Sequence, residues 1–323
     1  MQIVDSIADA IRRGNLKKGE RLFSINEFSN EFFLSRDTVQ KAYNILHQKG
    51  IITSVKGKGY YIKEINLHVS YKVLLLLSRL SNYKKDIYNA FIQALGDDAT
   101  VDIKIHHFNT QILRNLVDNH LSEYNYFVVM PHFYDDPEEA MRIIKTIPQD
   151  QLLILDKNIP HSDLSCPAVY QDFEHDIVDA LEQGLDLLSK YNKLYLLYPK
   201  VICYSPEIVR GFRNFCMQNN YKYEILSEIN EKTQVRAGEA YIVIEEKDLA
   251  NLIKKSRENG LKIGKNLGII SYNDSPLKEI LLDGITVMST DHVQMGKTAA
   301  RLILENSKEK IRNPFGLIRR KSL

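Results

Sequence analysis

The stretch Ser35-Arg36-Asp37-Thr38-Val39-Gln40 carries side chains that suit the edges of bases in a DNA groove. Arginine offers paired donors that match a guanine edge, and glutamine offers the donor and acceptor that match adenine. Ser35 is a good N-cap, because its hydroxyl can accept from a backbone N–H of the first helical turn. Val39, Ala42, Tyr43 and Leu46 recur at helical spacing and face a core. Arg36, Thr38 and Gln40 are thereby left on another face, with the positive end of the helix dipole behind them. A solvated amphipathic helix shows the same pattern, so the neighbouring elements decide between the two.

Those neighbours are short and well punctuated. Ile3, Val4, Ile7, Ala8 and Ile11 describe a first helix that stops at Gly14. Ser24-Ile25-Asn26-Glu27 is a capping box, opening a second helix expected to run through Phe28, Phe32 and Phe33. After Gly50, residues 51–55 and 60–62 are strands joined by Lys56-Gly57-Lys58-Gly59, a hairpin with glycines at its bend. Three helices and a basic hairpin make a winged helix-turn-helix, an α+β domain spanning residues 1–63. On that reading Arg36 and Thr38 contact the bases. Ser24, Gln40, Lys56 and Lys58 contact phosphates, which positions the domain without reading sequence. Ser35 and Gly57 complete the DNA-facing set.

Charge is distributed accordingly. The whole chain carries a net charge of only +2, but residues 1–63 are basic. There Arg12, Arg13, Lys17, Lys18, Arg21, Arg36, Lys41, Lys49, Lys56, Lys58 and Lys63 outnumber Asp5, Asp9, Glu20, Glu27, Glu31 and Asp37. Cys166, Cys203 and Cys216 are odd in number and widely spaced, which fits a reducing compartment and neither a metal cluster nor a disulfide framework. With the longest apolar run at residues 73–77 and no signal segment, the expectation is a cytoplasmic protein with no membrane partner.

From residue 71 the texture becomes strand alternating with helix, after a short linker at 64–70. Apolar strands are expected at 72–77, 101–106, 126–130 and 152–156, separated by helices near 84–95, 109–120 and 137–147. The alternation restarts with strands near 194–198, 222–227, 240–244 and 267–271, and helices near 206–219, 247–258 and 291–305. Such units build parallel sheets covered on both faces, here an α/β domain of two lobes over residues 71–323. Ligands of open parallel sheets lie at the carboxyl ends of strands. That rule selects Ser78-Arg79-Leu80, Pro131-His132-Phe133, Asp156-Lys157, Tyr198-Pro199, Glu245-Glu246 and Ser271-Tyr272-Asn273-Asp274. Carboxylates, amides and an arginine around a cleft suit the hydroxyls of a sugar. Nucleotide-binding glycine loops and a nucleophile elbow are both missing, so nothing in the chain calls for a cofactor. His106-His107 lacks Glu or Cys at ligand spacing and is read as structural or solvated, not as a metal pair.

Two resemblances sharpen this. Residues 3–62 resemble the DNA-binding domain of the GntR family. Its "pGerLPS" connector appears as Lys18-Gly19-Glu20-Arg21-Leu22-Phe23-Ser24, its "SR-x-TV" helix start as Ser35-Arg36-Asp37-Thr38-Val39, and its "G-K-G-x-F" wing as Gly57-Lys58-Gly59-Tyr60-Tyr61. Phe23 stands where proline is usual, and Gln40 where some members carry a second arginine. The segment from Leu261 to Asp274, the pattern around Asp291 and Gly296, and the terminal Leu317-Ile318-Arg319-Arg320-Lys321-Ser322 resemble LacI-type regulators. That resemblance implies a periplasmic-binding-protein-like fold, with Asp156, the pair Glu245-Glu246 and the residue Asn273 facing the ligand. It also implies an arginine clamp near Arg210-Gly211-Phe212, where Arg210 abuts the glycine instead of preceding it by several residues. Ser78, Arg79 and Asp274 join the expected effector set.

A GntR-type reader joined to a LacI-type sensor is similar to the arabinose- or fucose-responsive regulators. It implies a homodimeric repressor on a palindromic double-stranded operator, released by a monosaccharide of the L-arabinose or L-fucose class and free of catalytic residues. Two alternatives stay open: a sugar- or nucleotide-acting α/β enzyme, and a DNA-binding protein whose second domain only dimerises.

Overall fold

The computed structural model describes residues 2–12, 15–48, 50–63, 71–96, 99–133, 136–159, 163–200 and 204–323. The linker expected at 64–70 lies outside the described residues. The chain divides into two units, Met1–Ser70 and Tyr71–Leu323.

The first unit runs α1 (Gln2–Arg12), α2 (Ile25–Glu31), α3 (Arg36–Gln48), β1 (Ile52–Val55) and β2 (Gly59–Ile62). Its core is one cluster in which Ile3, Ile7 and Ile11 of α1 meet Val39, Tyr43 and Leu46 of α3 and Ile62 of β2. The apolar spacing of α3 was a reliable guide, since Val39, Ala42, Tyr43 and Leu46 are its buried residues. Tyr43 is central: its ring packs edge-on to Phe28 and Tyr60, and its hydroxyl donates to the Phe23 carbonyl at 2.7 Å. The capping box of α2 forms in full, but the helix ends at Glu31, sooner than its aromatics suggested. Phe33 is not helical. It takes a left-handed φ of 52° in the turn before α3 and stands 95% exposed. β1 and β2 pair antiparallel, Ile52 opposite Ile62, with Gly57 and Gly59 supplying the positive φ angles the tight wing needs.

The second unit begins with β3 (Tyr71–Leu77), α4 (Asn82–Leu95), β4 (Ala99–Ile105), α5 (Thr110–His120), β5 (Tyr126–Val129), α6 (Pro137–Ile144), β6 (Leu152–Lys157) and β7 (Ala168–Gln171). It continues with α7 (Phe173–Gln183), α8 (Leu185–Leu188), β8 (Lys193–Leu197), α9 (Glu207–Gln218), β9 (Lys222–Leu226), β10 (Glu239–Val243), α10 (Glu246–Glu258) and β11 (Leu267–Tyr272). It closes with α11 (Pro276–Ile280), β12 (Thr286–Thr290), α12 (His292–Leu304), β13 (Lys310–Arg312) and β14 (Phe315–Ile318).

Two six-stranded sheets result. Their orders, β4-β3-β5-β6-β7-β13 and β9-β8-β10-β11-β12-β14, are the same arrangement built twice, and only β14 runs antiparallel. The two lobes are not simply successive. The chain crosses between them three times: at Asp172, at Asp291 and at Asn313-Pro314. Helix α12, expected among the units of the second lobe, returns to pack Met295 and Ala299 into the first-lobe core with Ile87 and Phe91 of α4. Two motif glycines mark the close helix crossings. A Cβ on Gly296 would stand 2.3 Å from the Ile87 carbonyl oxygen of α4, and one on Gly211 would stand 2.2 Å from the Glu174 carbonyl oxygen of α7.

Candidate DNA-reading surface and ligand cleft

In the first unit, Ser35 caps α3, its Oγ accepting from the Thr38 N–H at 3.2 Å and lying 2.7 Å from the Thr38 hydroxyl. Arg36, Thr38 and Lys41 are exposed along the front of the helix. Gln40 donates to Asn44 Oδ1 at 3.0 Å, one turn on, which steadies its amide on that same surface. Ser24 is occupied by its capping box: the Glu27 N–H reaches its Oγ at 3.2 Å, and its own N–H donates to the Glu27 carboxylate at 2.6 Å. Those bonds hold Glu27 below the usual carboxylate range. Lys56 and Lys58 are exposed on either side of Gly57 at the wing tip. The wing is tied to the connector, Leu22 N–H donating to Tyr60 O at 2.9 Å. A large apolar groove of about 1000 Å³ between α1 and the α2–α3 pair includes Ile7, Phe23, Phe28, Phe32 and Ile45. It lacks the convergent buried polar groups of a small-molecule site.

In the second unit, the carboxyl ends of both sheets meet at a cleft. Ser78 and Arg79 follow β3, His132 follows β5, Asp156 lies near the end of β6, and Gln171 ends β7. From the other lobe come Tyr204 and Ser205 after β8, and Tyr272 with Asn273 at the end of β11. His292, in the first turn of α12, and Lys84 with Tyr83, in the first turn of α4, complete the lining.

Asp156 is the hub. His132 Nε2 donates to its Oδ2 at 2.9 Å, and the Gln171 amide to its Oδ1 at 2.5 Å. Those donors, with the Lys84 ammonium nearby, outweigh burial and hold the carboxyl well below its usual range. Burial pushes the imidazoles of His132 and His292 down from their ordinary value. Asp156 and Asn273 both adopt left-handed backbone, with φ of 75° and 60°. Non-glycine residues seldom accept such angles without cause, and they cluster at ligand sites. Lys278 supports the second of them, its buried ammonium donating to the carbonyls of Tyr272 and Asn273 at 3.0 and 2.7 Å.

Four of the expected effector residues thus come together: Ser78, Arg79, Asp156 and Asn273. Glu245 stands one step behind, accepting from the Tyr204 hydroxyl. The other three lie elsewhere. Arg210 is on the exposed side of α9, held by Glu174 at 2.9 Å and Glu207 at 3.4 Å. Glu246 is exposed in the first turn of α10. Asp274 is consumed by a two-pronged pair with Arg320 at 2.7 and 2.8 Å, which latches the loop to the C-terminal segment. Lys84, Gln171, Tyr204 and His292 were not selected from sequence. Lys84 did leave a trace, sharing helical spacing with the buried Ile87 and Phe91. Among the described residues no group of His, Cys, Asp and Glu could hold a metal ion, and His106 is buried with Nε2 at 3.1 Å from the Met130 carbonyl. No helix among them is long and apolar enough to cross a membrane.

Comparison with known proteins agrees with this architecture. Residues 1–62 match the model of bacterial regulatory proteins of the gntR family, and residues 189–323 that of a periplasmic binding protein-like domain. The mannosyl-D-glycerate transport/metabolism system repressor MngR of Escherichia coli (strain K12) is 39% identical over 77 residues. That alignment takes in 24% of this chain and 31% of MngR, so the chain spans under a third of that relative. The regulator GalR of Streptococcus thermophilus is 23% identical over 259 residues, 69% of this chain and 76% of GalR. The fold of a dimeric Lac repressor lacking 11 C-terminal residues matches with a TM-score of 0.64 at 16% identity, over 78% of this chain and 98% of that one. The trehalose repressor from Escherichia coli matches with a TM-score of 0.62 at 15% identity, over 77% and 100%. Residues 1–62 thus match a gntR-family DNA-binding domain, and the second unit has a two-lobed periplasmic-binding-protein-like fold, matched by family over residues 189–323.

Proposed function

We propose that this regulator is a repressor of sugar-utilisation genes, released from its operator by a monosaccharide bound between the lobes, with residues 1–63 as reader and 71–323 as sensor. The observation that carries the reading is a set of polar atoms converging in the cleft. Gln171 Oε1, the Tyr272 hydroxyl and His292 Nε2 are buried there without a hydrogen-bond partner. An unmet buried polar atom costs about 1–3 kcal/mol, so three around one cleft point to hydroxyl groups as their partners. Tyr83, stacked on His292 at 5.0 Å, and Phe173 supply apolar faces for a sugar ring. Relatives support the reading, since MngR and the trehalose repressor are named for sugar systems. L-Arabinose and L-fucose are the first candidates.

The cavity measures about 40 Å³, about three times the ~10–15 Å³ that one water needs on this measure. A monosaccharide is larger than this space, so its entry is expected to part the lobes and couple ligand affinity to lobe angle. A ligand that binds the two lobe arrangements unequally shifts their populations, and with them the fit to DNA. A homodimer, acting in the cytoplasm where its operator lies, sets two α3 helices in successive major grooves of a palindrome. The test is a gel shift on DNA selected by the protein from a random library, repeated across a monosaccharide panel. One sugar should weaken binding at least about tenfold; indifference to the whole panel sinks the effector claim.

A further inference from the structure

The cleft holds more positive charge than a neutral sugar can satisfy. Among the described residues lining it, Arg79 and Lys84 are cations and Asp156 is the single carboxylate. Lys84 is 3% exposed, and its ammonium donates to the Ser78 hydroxyl at 2.5 Å. An ammonium this deeply buried is costly unless it meets a counter-charge. Asp156 lies close enough to favour its charge, but both carboxylate oxygens already accept from His132 and Gln171. Burial lowers the amine to about 8, while the neighbouring Asp156 carboxylate favours its charged form.

Arg79 is in the same position. Its guanidinium donates to the Tyr204 hydroxyl at 3.0 Å and has no carboxylate partner among the described residues. Glu207 and Glu245 sit behind Ser205 and Tyr204, accepting from their hydroxyls. The local backbone adds to the imbalance. Lys84 is in the first turn of α4, where the helix dipole is positive and acidic residues are favoured, yet that turn has none. The N-cap Ser81 makes no capping bond, and its buried Oγ is unpartnered.

We propose that the effector is an anionic sugar, whose phosphate or carboxylate oxygens pair with Lys84 and Arg79 over the first turn of α4. Its hydroxyls then face Asp156, Gln171, Tyr272 and His292. This rests on the cleft being the effector site. It narrows the ligand class from monosaccharides at large to their phosphate esters and sugar acids.

The experiment is calorimetric titration of the full-length protein with neutral monosaccharides, their phosphates and the matching sugar acids, for the parent, Lys84→Met and Lys84→Arg. The expected result is an anion bound at least about tenfold tighter than its neutral parent. Lys84→Met should abolish that preference and Lys84→Arg should retain it. The phosphate and sugar-acid arms tell the two oxyanions apart. A neutral sugar bound as tightly as its anionic forms overturns the anion proposal and leaves the sensor reading standing. No binding by any of the three classes overturns both. If Lys84→Met does not fold, the comparison of ligands on the parent protein decides alone.

Discussion

Arg79 and Tyr204 meet across the cleft from opposite lobes, the guanidinium donating to the hydroxyl at 3.0 Å while lying 5.2 Å from the centre of the same ring. Tyr204 passes the bond on to Glu245, so a cation, a phenol and a carboxylate form one chain across the lobe boundary. Nothing in the local pattern of either segment announces that chain, because its members come from both lobes.

Tyr204→Phe should therefore favour the open form. A hydrogen bond to a charged group contributes about 1.5–3 kcal/mol, enough to change the closed-to-open ratio roughly tenfold or more. Small-angle scattering should show a larger radius of gyration without ligand. An unchanged scattering curve would remove Tyr204 from the latch.

On DNA, the recognition helix and the wing should separate by experiment. Arg36→Ala should cost about 1–3 kcal/mol of discrimination between operator and altered sites. Lys58→Ala should weaken all sites alike and reduce the salt slope by about 0.9. Unaltered sequence preference in the Arg36 variant would refute its role as a base reader.

The close helix crossings predict damage without any loss of polar contacts. Gly211→Ala and Gly296→Ala each force a methyl to within 2.5 Å of a carbonyl oxygen on the neighbouring helix. Overpacking of this kind costs about 1–3 kcal/mol. Urea denaturation should show each variant destabilised.

Buried His106 makes stability depend on pH. Burial pushes its imidazole down to about 3 from an ordinary value near 6.5. The unfolded chain takes up the proton first. The contribution is therefore complete above about pH 6.5 and is lost as pH falls through that value toward 3, by at most about 1.4 kcal/mol per pH unit. Asp176, raised to about 6 by burial, acts with the opposite sign over part of this window. The clean observable is the difference between parent and His106→Gln, which should narrow as pH drops from about 7 to about 5. A constant difference would show that His106 does not carry the effect.

Much of the architecture was legible because its signals are local. The one-sided apolar spacing of α3 and the unbroken apolar runs of β3, β6 and β11 need no tertiary knowledge. By contrast β7, β13 and β14 have only three or four residues each, too few for periodicity to register. Helix α12 reads with its sequence neighbours because its return to α4 is a long-range event. The cleft divides the same way. Ser78, Arg79, Asp156 and Asn273 lie at or just past the ends of strands that the apolar pattern shows, whereas Gln171 ends β7 and His292 follows β12, neither of which it marks. Lys84 was hidden by its own chemistry, since a lysine on a helix ordinarily marks the wet face. Arg210 and Asp274 have the right residue types, but neighbouring charges had already claimed them.

The three passages of chain between the lobes are each one or two residues long, and two of them are bonded together. Asn313 Nδ2 donates to the Asp291 carbonyl and to Thr290 Oγ1 at 2.9 Å, and the Asp291 N–H returns to the Pro314 carbonyl at 2.9 Å. Short tethers bundled in this way act as an axle. Such tethers are expected to resist sliding and stretching of one lobe against the other more than rotation. Under the proposed function, whatever fills the cleft would be converted into an angle between the lobes.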